Sequence, residues 1–307
     1  MVAPRSPQMP PSCSHPRPDL DRLPVAVPGV PRCRLGESPA WDPVTHEVTW
    51  VDVHGGAVHR LDPASGRCAT IEVGERVGAA APAAGGGMVL AVRSGFLRLD
   101  AGGTLTRIAD VEHRHPRVRM NDGKCDARGR FWAGSMSEVD EPTGALYRLS
   151  PDGTVHEAVE GVVVSNGIGW SPDGCSMYYV DSALGRIDEI EFDLDRGELG
   201  ERTPLFETPP KAGVPDGLAV DAEGCIWVAL FGAGVLRRHR PDGRAVEELR
   251  LPVSLATSCA FAGRELDWLY ITSAAHLLAA PEAQAGALFR CRAPAPGLPV
   301  GLFGAPT

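Results

Sequence analysis

Six short runs of aromatic and β-branched residues, recurring every 39 to 48 residues or so, constrain this chain more than any other feature. They lie at residues 49–52, 88–91, 131–133, 177–180, 226–228 and 268–271, with Trp50-Val51, Tyr178-Tyr179 and Trp227-Val228 as the clearest examples. Each is followed by a second short run, at residues 58–61, 96–99, 146–149, 187–190, 235–238 and 287–290. All of these second runs except the fourth carry an arginine among apolar residues. Turn formers follow four of the pairs, as in Asp62-Pro63-Ala64-Ser65-Gly66 and Pro241-Asp242-Gly243. With 36 Gly and 28 Pro, few segments are long enough for a helix. The pattern predicts an all-β chain.

A unit of this length cannot bury both faces of its own small sheet, so neighbours must stack. Six such units imply a six-bladed β-propeller around a central channel, and residues 23–34 are the candidate for a terminal strand that closes the last blade. A β-sandwich, or two small β domains, is the other arrangement such strands permit. No linker-like break divides the chain, so residues 23–307 are expected to form one domain. Residues 1–22 hold Pro4, Pro7, Pro10, Pro11, Pro16 and Pro18 with no apolar stretch. They are expected to be a disordered Pro-rich tail and neither a signal peptide nor a membrane span.

The charge of −9, from 30 basic and 39 acidic side chains, disfavours nucleic acid as a partner. No run approaches the length of about 18 apolar residues needed to cross a membrane. The eight cysteines are scattered without a C-x-x-C pair, which predicts free thiols in a reducing cytoplasm.

Ahead of each first run the sequence repeats a register. Glu37-Ser38-Pro39-Ala40-Trp41, Asn121-Asp122-Gly123-Lys124-Cys125, Asn166-Gly167-Ile168-Gly169-Trp170 and Asp216-Gly217-Leu218-Ala219-Val220 take the same place. Eight residues after the leading residue come Gly129, Gly174 and Gly224, with Thr45 in that place in the first copy. The corresponding segments of the second and sixth copies begin at Val77 and Thr257. The place starts the innermost strand of a blade, so Glu37, Asn121, Asn166 and Asp216 are expected to ring one mouth of the channel. Both asparagines of the chain fall in it. Converging carboxylate and amide oxygens are what a hard divalent cation selects, which predicts a metal-binding channel. The plainer reading is that Asn-Gly, Asn-Asp and Asp-Gly are turn formers at a strand entrance.

These segments, with Leu35-Gly36-Glu37-Ser38-Pro39, Arg119-Met120-Asn121-Asp122-Gly123 and Pro215-Asp216-Gly217, resemble the signatures of the senescence-marker-protein/gluconolactonase family. The resemblance runs from about Leu35 to Ile271. It implies a six-bladed propeller with one divalent ion (Ca, Zn, Mg or Mn) that opens small-molecule sugar lactones to aldonic acids. It also implies Glu37, Asn166 and Asp216 as metal ligands, with Asp216 as the catalytic proton acceptor and donor. Arg119 and Asn121 would then hold substrate oxygens. A further substrate-binding glutamate of the family falls by counting on Val139, with Glu138 beside it. Arg119 could instead pair with a rim carboxylate. The other functions open to this architecture are an esterase or phosphotriesterase, and a non-catalytic propeller that binds calcium or a protein.

Other signals carry less. Residues 193–198 lack the ligand spacing of a calcium loop and read as a hairpin turn. His113 and His115 lack further histidines nearby for zinc. G-x-S-x-G, H-E-x-x-H and G-x-x-x-x-G-K are absent. The Ala/Gly stretch from Gly78 to Gly87 is a poor strand interior suited to close packing at the channel.

Overall fold

In the computed structural model, residues 20–278 and 280–305 are described. Six four-stranded antiparallel sheets form, and each is built from consecutive strands except the last. Blades 1 to 5 occupy residues 36–72, 77–110, 118–162, 165–207 and 214–250, and blade 6 occupies residues 256–292. The innermost strands are Gly36–Asp42, Val77–Pro82, Val118–Cys125, Ser165–Trp170, Val214–Val220 and Ala256–Ala262. Among the described residues there is no α-helix, only three single-turn 3₁₀ segments. The protein is a six-bladed β-propeller.

The ring closes where the sequence places the closing strand. Val25–Ala26 pairs with the outer edge of blade 6, Val25 opposite Arg290 and Ala26 opposite Phe289. Up to residue 19 the Pro-rich tail lies outside the described residues, as does Cys13, while Leu20–Arg22 forms a 3₁₀ turn. Residues 193–198 form the expected hairpin, closed by Gly197 N donating to Asp193 O at 2.7 Å. Of the seven described cysteines, all free, five are buried. Among the described residues no helix is long and apolar enough to cross a membrane.

There is no single core. Six apolar clusters form, one between each pair of neighbouring blades. Stacking is therefore what buries each sheet, as the repeat length requires. The arginines of the third strands have a packing role. Arg148 lies 5.9 Å from the ring of Trp132, Arg238 5.9 Å from Trp227 and Arg290 5.1 Å from Trp268, each over a tryptophan of its own blade. In blade 4, where the run 187–190 holds no arginine, Arg202 of the outermost strand takes this part, 5.1 Å from Tyr179.

After blade 6 the chain crosses one mouth of the channel as a strap. Gly297 bridges to Asp221 of blade 5, Gly304 N donates to Gly129 O of blade 3 at 2.9 Å, and Phe303 bridges to Ala83 of blade 2. The first half of the Ala/Gly stretch is an innermost strand, with all of Val77–Pro82 buried. A β-carbon on Gly78 would lie 2.5 Å from Asn121 O, so this blade approaches its neighbour as only glycine permits.

Candidate functional site

All six innermost strands carry a register shift at one level. It falls between Glu37 and Ala40, Val77 and Ala79, Met120 and Gly123, Ser165 and Ile168, Pro215 and Leu218, and Ala256 and Ser258. Such bulges re-aim side chains and sit beside functional sites. In blades 3, 4 and 5 the unpaired residues are Asn121-Asp122, Asn166-Gly167 and Asp216-Gly217.

Blade 1 corrects the sequence register by one residue. Its unpaired residues are Ser38-Pro39, and Glu37 still pairs with Val51 ahead of the bulge. Counted from the bulge, the turn position held by Gly129, Gly174 and Gly224 (φ 74°, 72° and 77°) falls on His46 (φ 58°), not on Thr45. The turn requires a left-handed residue, and here a non-glycine supplies it. Ser38 is left-handed as well (φ 47°), and its hydroxyl oxygen accepts from Ala80 N of blade 2 at 3.3 Å. Backbone held in this region costs about 1–3 kcal/mol and clusters at functional sites.

At the bulge level the blades touch all the way round. Thr257 Oγ1 donates to Gly36 O at 2.6 Å, and Asn121 Nδ2 to Ser165 O at 2.8 Å. Between blades 4 and 5, and between 5 and 6, β-carbons on Gly167 and Gly217 would lie 2.6 Å from Asp216 O and 2.1 Å from Ser258 Oγ. The contacts of Ser38 and Gly78 complete the circle. Side chains set here share one mouth of the channel.

Glu37, Asn166 and Asp216 are 6%, 5% and 6% exposed. Glu37 Oε2, Asn166 Oδ1 and Asp216 Oδ1 are the only buried side-chain oxygens among the described residues that lack a hydrogen-bond partner. Leaving such groups unpaired costs about 1–3 kcal/mol each. The orientation of the Asn166 amide is fixed by its neighbour. Ser182 Oγ donates to Pro215 O at 2.7 Å, so it can only accept from Asn166 Nδ2, at 3.0 Å. The amide oxygen is thereby turned away from Ser182.

Asn121 differs. Arg119 Nη1 donates to its oxygen at 2.8 Å and to Met120 O at 2.9 Å. The ring of four oxygens read from the sequence thus reduces to three free ones. Arg119 Nε is unpartnered and lies 3.9 Å from Glu138 Oε1, and Glu138 also pairs with Arg76. Glu138 therefore meets Arg119, and the neighbouring Val139 is held by its backbone N on Ser137 Oγ at 3.2 Å.

Burial pushes the Glu37 carboxyl well above its ordinary range, Asp216 and Asp122 push it further, and Arg119 opposes them. Asp216 is likewise raised well above its range, by burial first and then Asp122, against the pull of Asn166, the Gly217 N–H and Arg119. Burial drives Arg119 down to about 10, with Glu37 and Glu138 opposing. Two buried carboxyl groups and an amide oxygen, each lacking a partner, match the donor set of a hard divalent cation. No group of three His, Cys, Asp or Glu side chains is placed to hold a metal ion among the described residues.

The sequence reading missed three groups. Asp122 is buried beside Asn121 and acts on both carboxylates; its signal was its place in the Asn-Asp-Gly-Lys segment. Ser182 fixes the amide. His54 and His276 meet edge to face with ring centres 4.7 Å apart, and Arg119 acts on both. Nothing in their spacing joins them.

The SMP-30/gluconolactonase/LRE-like region model matches residues 35–275. Regucalcin of Gallus gallus is 36% identical over 254 residues, covering 80% of this chain and 85% of that protein. The 6-deoxy-6-sulfogluconolactonase of Pseudomonas putida is 36% identical over 276 residues, covering 88% and 94%. Among solved structures, a calcium-binding regucalcin of Agrobacterium tumefaciens superposes with a TM-score of 0.85 at 28% identity, covering 90% of this chain and 95% of that one.

Proposed function

Because the chain belongs to the SMP-30/gluconolactonase/LRE-like family, we propose that it is a hydrolase that opens sugar lactones to aldonic acids and depends on one divalent cation. The observation that supports this is that three buried oxygens at the level of the innermost-strand bulges, Glu37 Oε2, Asn166 Oδ1 and Asp216 Oδ1, have no hydrogen-bond partner. These would hold the cation. Bound there, it supplies Lewis-acid polarisation of the lactone carbonyl and charge stabilisation for the developing oxyanion.

The chain's own groups supply the rest. Asp216, whose proton affinity burial raises, takes a proton from the water that attacks the acyl carbon. As the ring C–O bond breaks, the same carboxyl returns that proton to the departing ring oxygen. A positioned acid–base of this kind is worth about 10²–10⁴-fold. Arg119, fixed on Met120 O and Asn121, keeps its Nε–H free for a substrate oxygen. Asn121 holds the guanidinium in place and presents its amide at the same level. Glu138, on the far side of Arg119, accepts from a sugar hydroxyl. The free cysteines favour the cytoplasm as its compartment.

The test is acid release from a panel of sugar lactones, with chelated protein and with Ca²⁺, Zn²⁺, Mg²⁺ or Mn²⁺ restored. Turnover should vanish on chelation and return with one of the ions. Full turnover by fully chelated protein, or by an Asp216→Ala variant, would overturn the reading.

A further inference from the structure

Beyond the bulge level the channel is kept open by small residues, Ala40, Gly123, Gly169, Ala219 and Ala260, and widens into a second cavity of about 350 Å³. This cavity lies at the mouth opposite Glu37 and Asp216, under the C-terminal strap. Its volume falls in the range of small-molecule sites. Trp41, Trp170, Phe261, Val220, Leu298 and Val300 make its walls largely apolar and aromatic. The strap is held tightly: β-carbons on Gly297 and Gly301 would lie 2.3 Å from Phe261 Cβ and 2.4 Å from Asp126 O.

One charge stands inside. Lys124, from blade 3, reaches across the face of blade 4, and its Nζ donates to Leu218 O of blade 5 at 2.7 Å. That is its single hydrogen bond, and it has no carboxylate within salt-bridge distance among the described residues. Two of its three N–H groups are left over. Burial lowers its proton affinity, while Asp122, acting from the side of the first mouth, sustains the charge. Asp173 at the rim is already engaged by Ser171 Oγ and Cys175 N. An ammonium without a contacting counter-charge, at the foot of an aromatic-walled cavity, calls for an anionic head and an apolar body.

We propose that this second mouth binds a small aromatic monocarboxylate, its carboxylate on Lys124 Nζ and its ring between Trp41, Trp170 and Phe261. A sugar would leave its hydroxyls unpaired against these walls. A phosphate dianion would bring more charge than one ammonium offsets beside Asp173. The cavity's lining reaches the bulge residues Ser38 and Pro39 of blade 1 but includes none of Glu37, Asn121, Asn166 and Asp216, so this site does not depend on the reaction at the first mouth.

The experiment is calorimetric titration of the full chain with 4-phenylbutyrate and with its uncharged counterpart, 4-phenylbutan-1-ol. One carboxylate molecule per chain should bind. The alcohol should bind at least about tenfold more weakly, a margin that a charge-assisted hydrogen bond supplies. Lys124→Met should remove that preference, and Val300→Trp on the strap should abolish binding of both by filling the cavity, with thermal melts confirming folded protein. Absence of saturable binding, unchanged affinity in Val300→Trp, a retained carboxylate preference in folded Lys124→Met, or loss of binding in Asp216→Asn would each overturn the proposal.

Discussion

Asn121 and Asn166 occupy equivalent bulge positions in adjacent blades, yet the oxygen of Asn121 accepts from Arg119 Nη1 at 2.8 Å while that of Asn166 has no partner. The two asparagines should therefore separate on substitution. Asn166→Ala is expected to weaken divalent-cation affinity by at least about tenfold. Asn121→Ala should leave that affinity in place and raise KM. Calorimetric titration with Ca²⁺, alongside lactone kinetics, checks both.

Ser182 touches no free oxygen of the site but sets the Asn166 amide through its own donation to Pro215 O. Ser182→Ala frees the amide to flip. Cation affinity should fall about 10–100-fold, for a stability loss of only about 1 kcal/mol. Equal affinities before and after the change would show that the amide is held otherwise.

Gly167 is needed for its missing β-carbon rather than for its backbone angle. Gly167→Ala would place a methyl 2.6 Å from Asp216 O and 2.8 Å from Leu218 N, both backbone atoms. Blades 4 and 5 would have to part, at a cost of about 1–3 kcal/mol. A lowered melting temperature together with impaired cation binding is the expected result.

His54 is held below its ordinary 6.5, at about 4, by burial first and then by His276 and Arg119. Between those values the unfolded chain binds the proton more readily than the folded one, so stability rises with pH across this window and is lost as pH falls through it. His54→Gln should flatten the melting temperature between pH 4 and 6.5 relative to the unaltered protein. Parallel profiles for the two proteins would refute the assignment.

The fold was legible because each unit repeats a strand it cannot bury alone, and Trp50, Trp132 and Trp227 mark the strands that pack deepest. The bulge positions of blades 3, 4 and 5 were legible through the shared spacing to Gly129, Gly174 and Gly224. Blade 1 was misregistered because His46 adopts, without being glycine, the left-handed turn that glycine advertises elsewhere. Counting fell on Val139 with Glu138 beside it, and the contact of Glu138 with Arg119 depends on how the loop after Ser137 folds back. Contacts such as His54 with His276 arise from closing the ring, which local pattern does not encode.

That closure rests on two residues, Val25 and Ala26, clasped to Arg290 and Phe289. Segments from either side of blades 1 to 5 thus build one blade jointly, and it cannot be finished until residues 256–292 have been made. Five blades can assemble while the chain is still emerging from the ribosome. Blade 1, which carries Glu37, is fastened to blade 6 only when that segment arrives, Thr257 Oγ1 donating to Gly36 O, so a closed ring reports that all six blades are present.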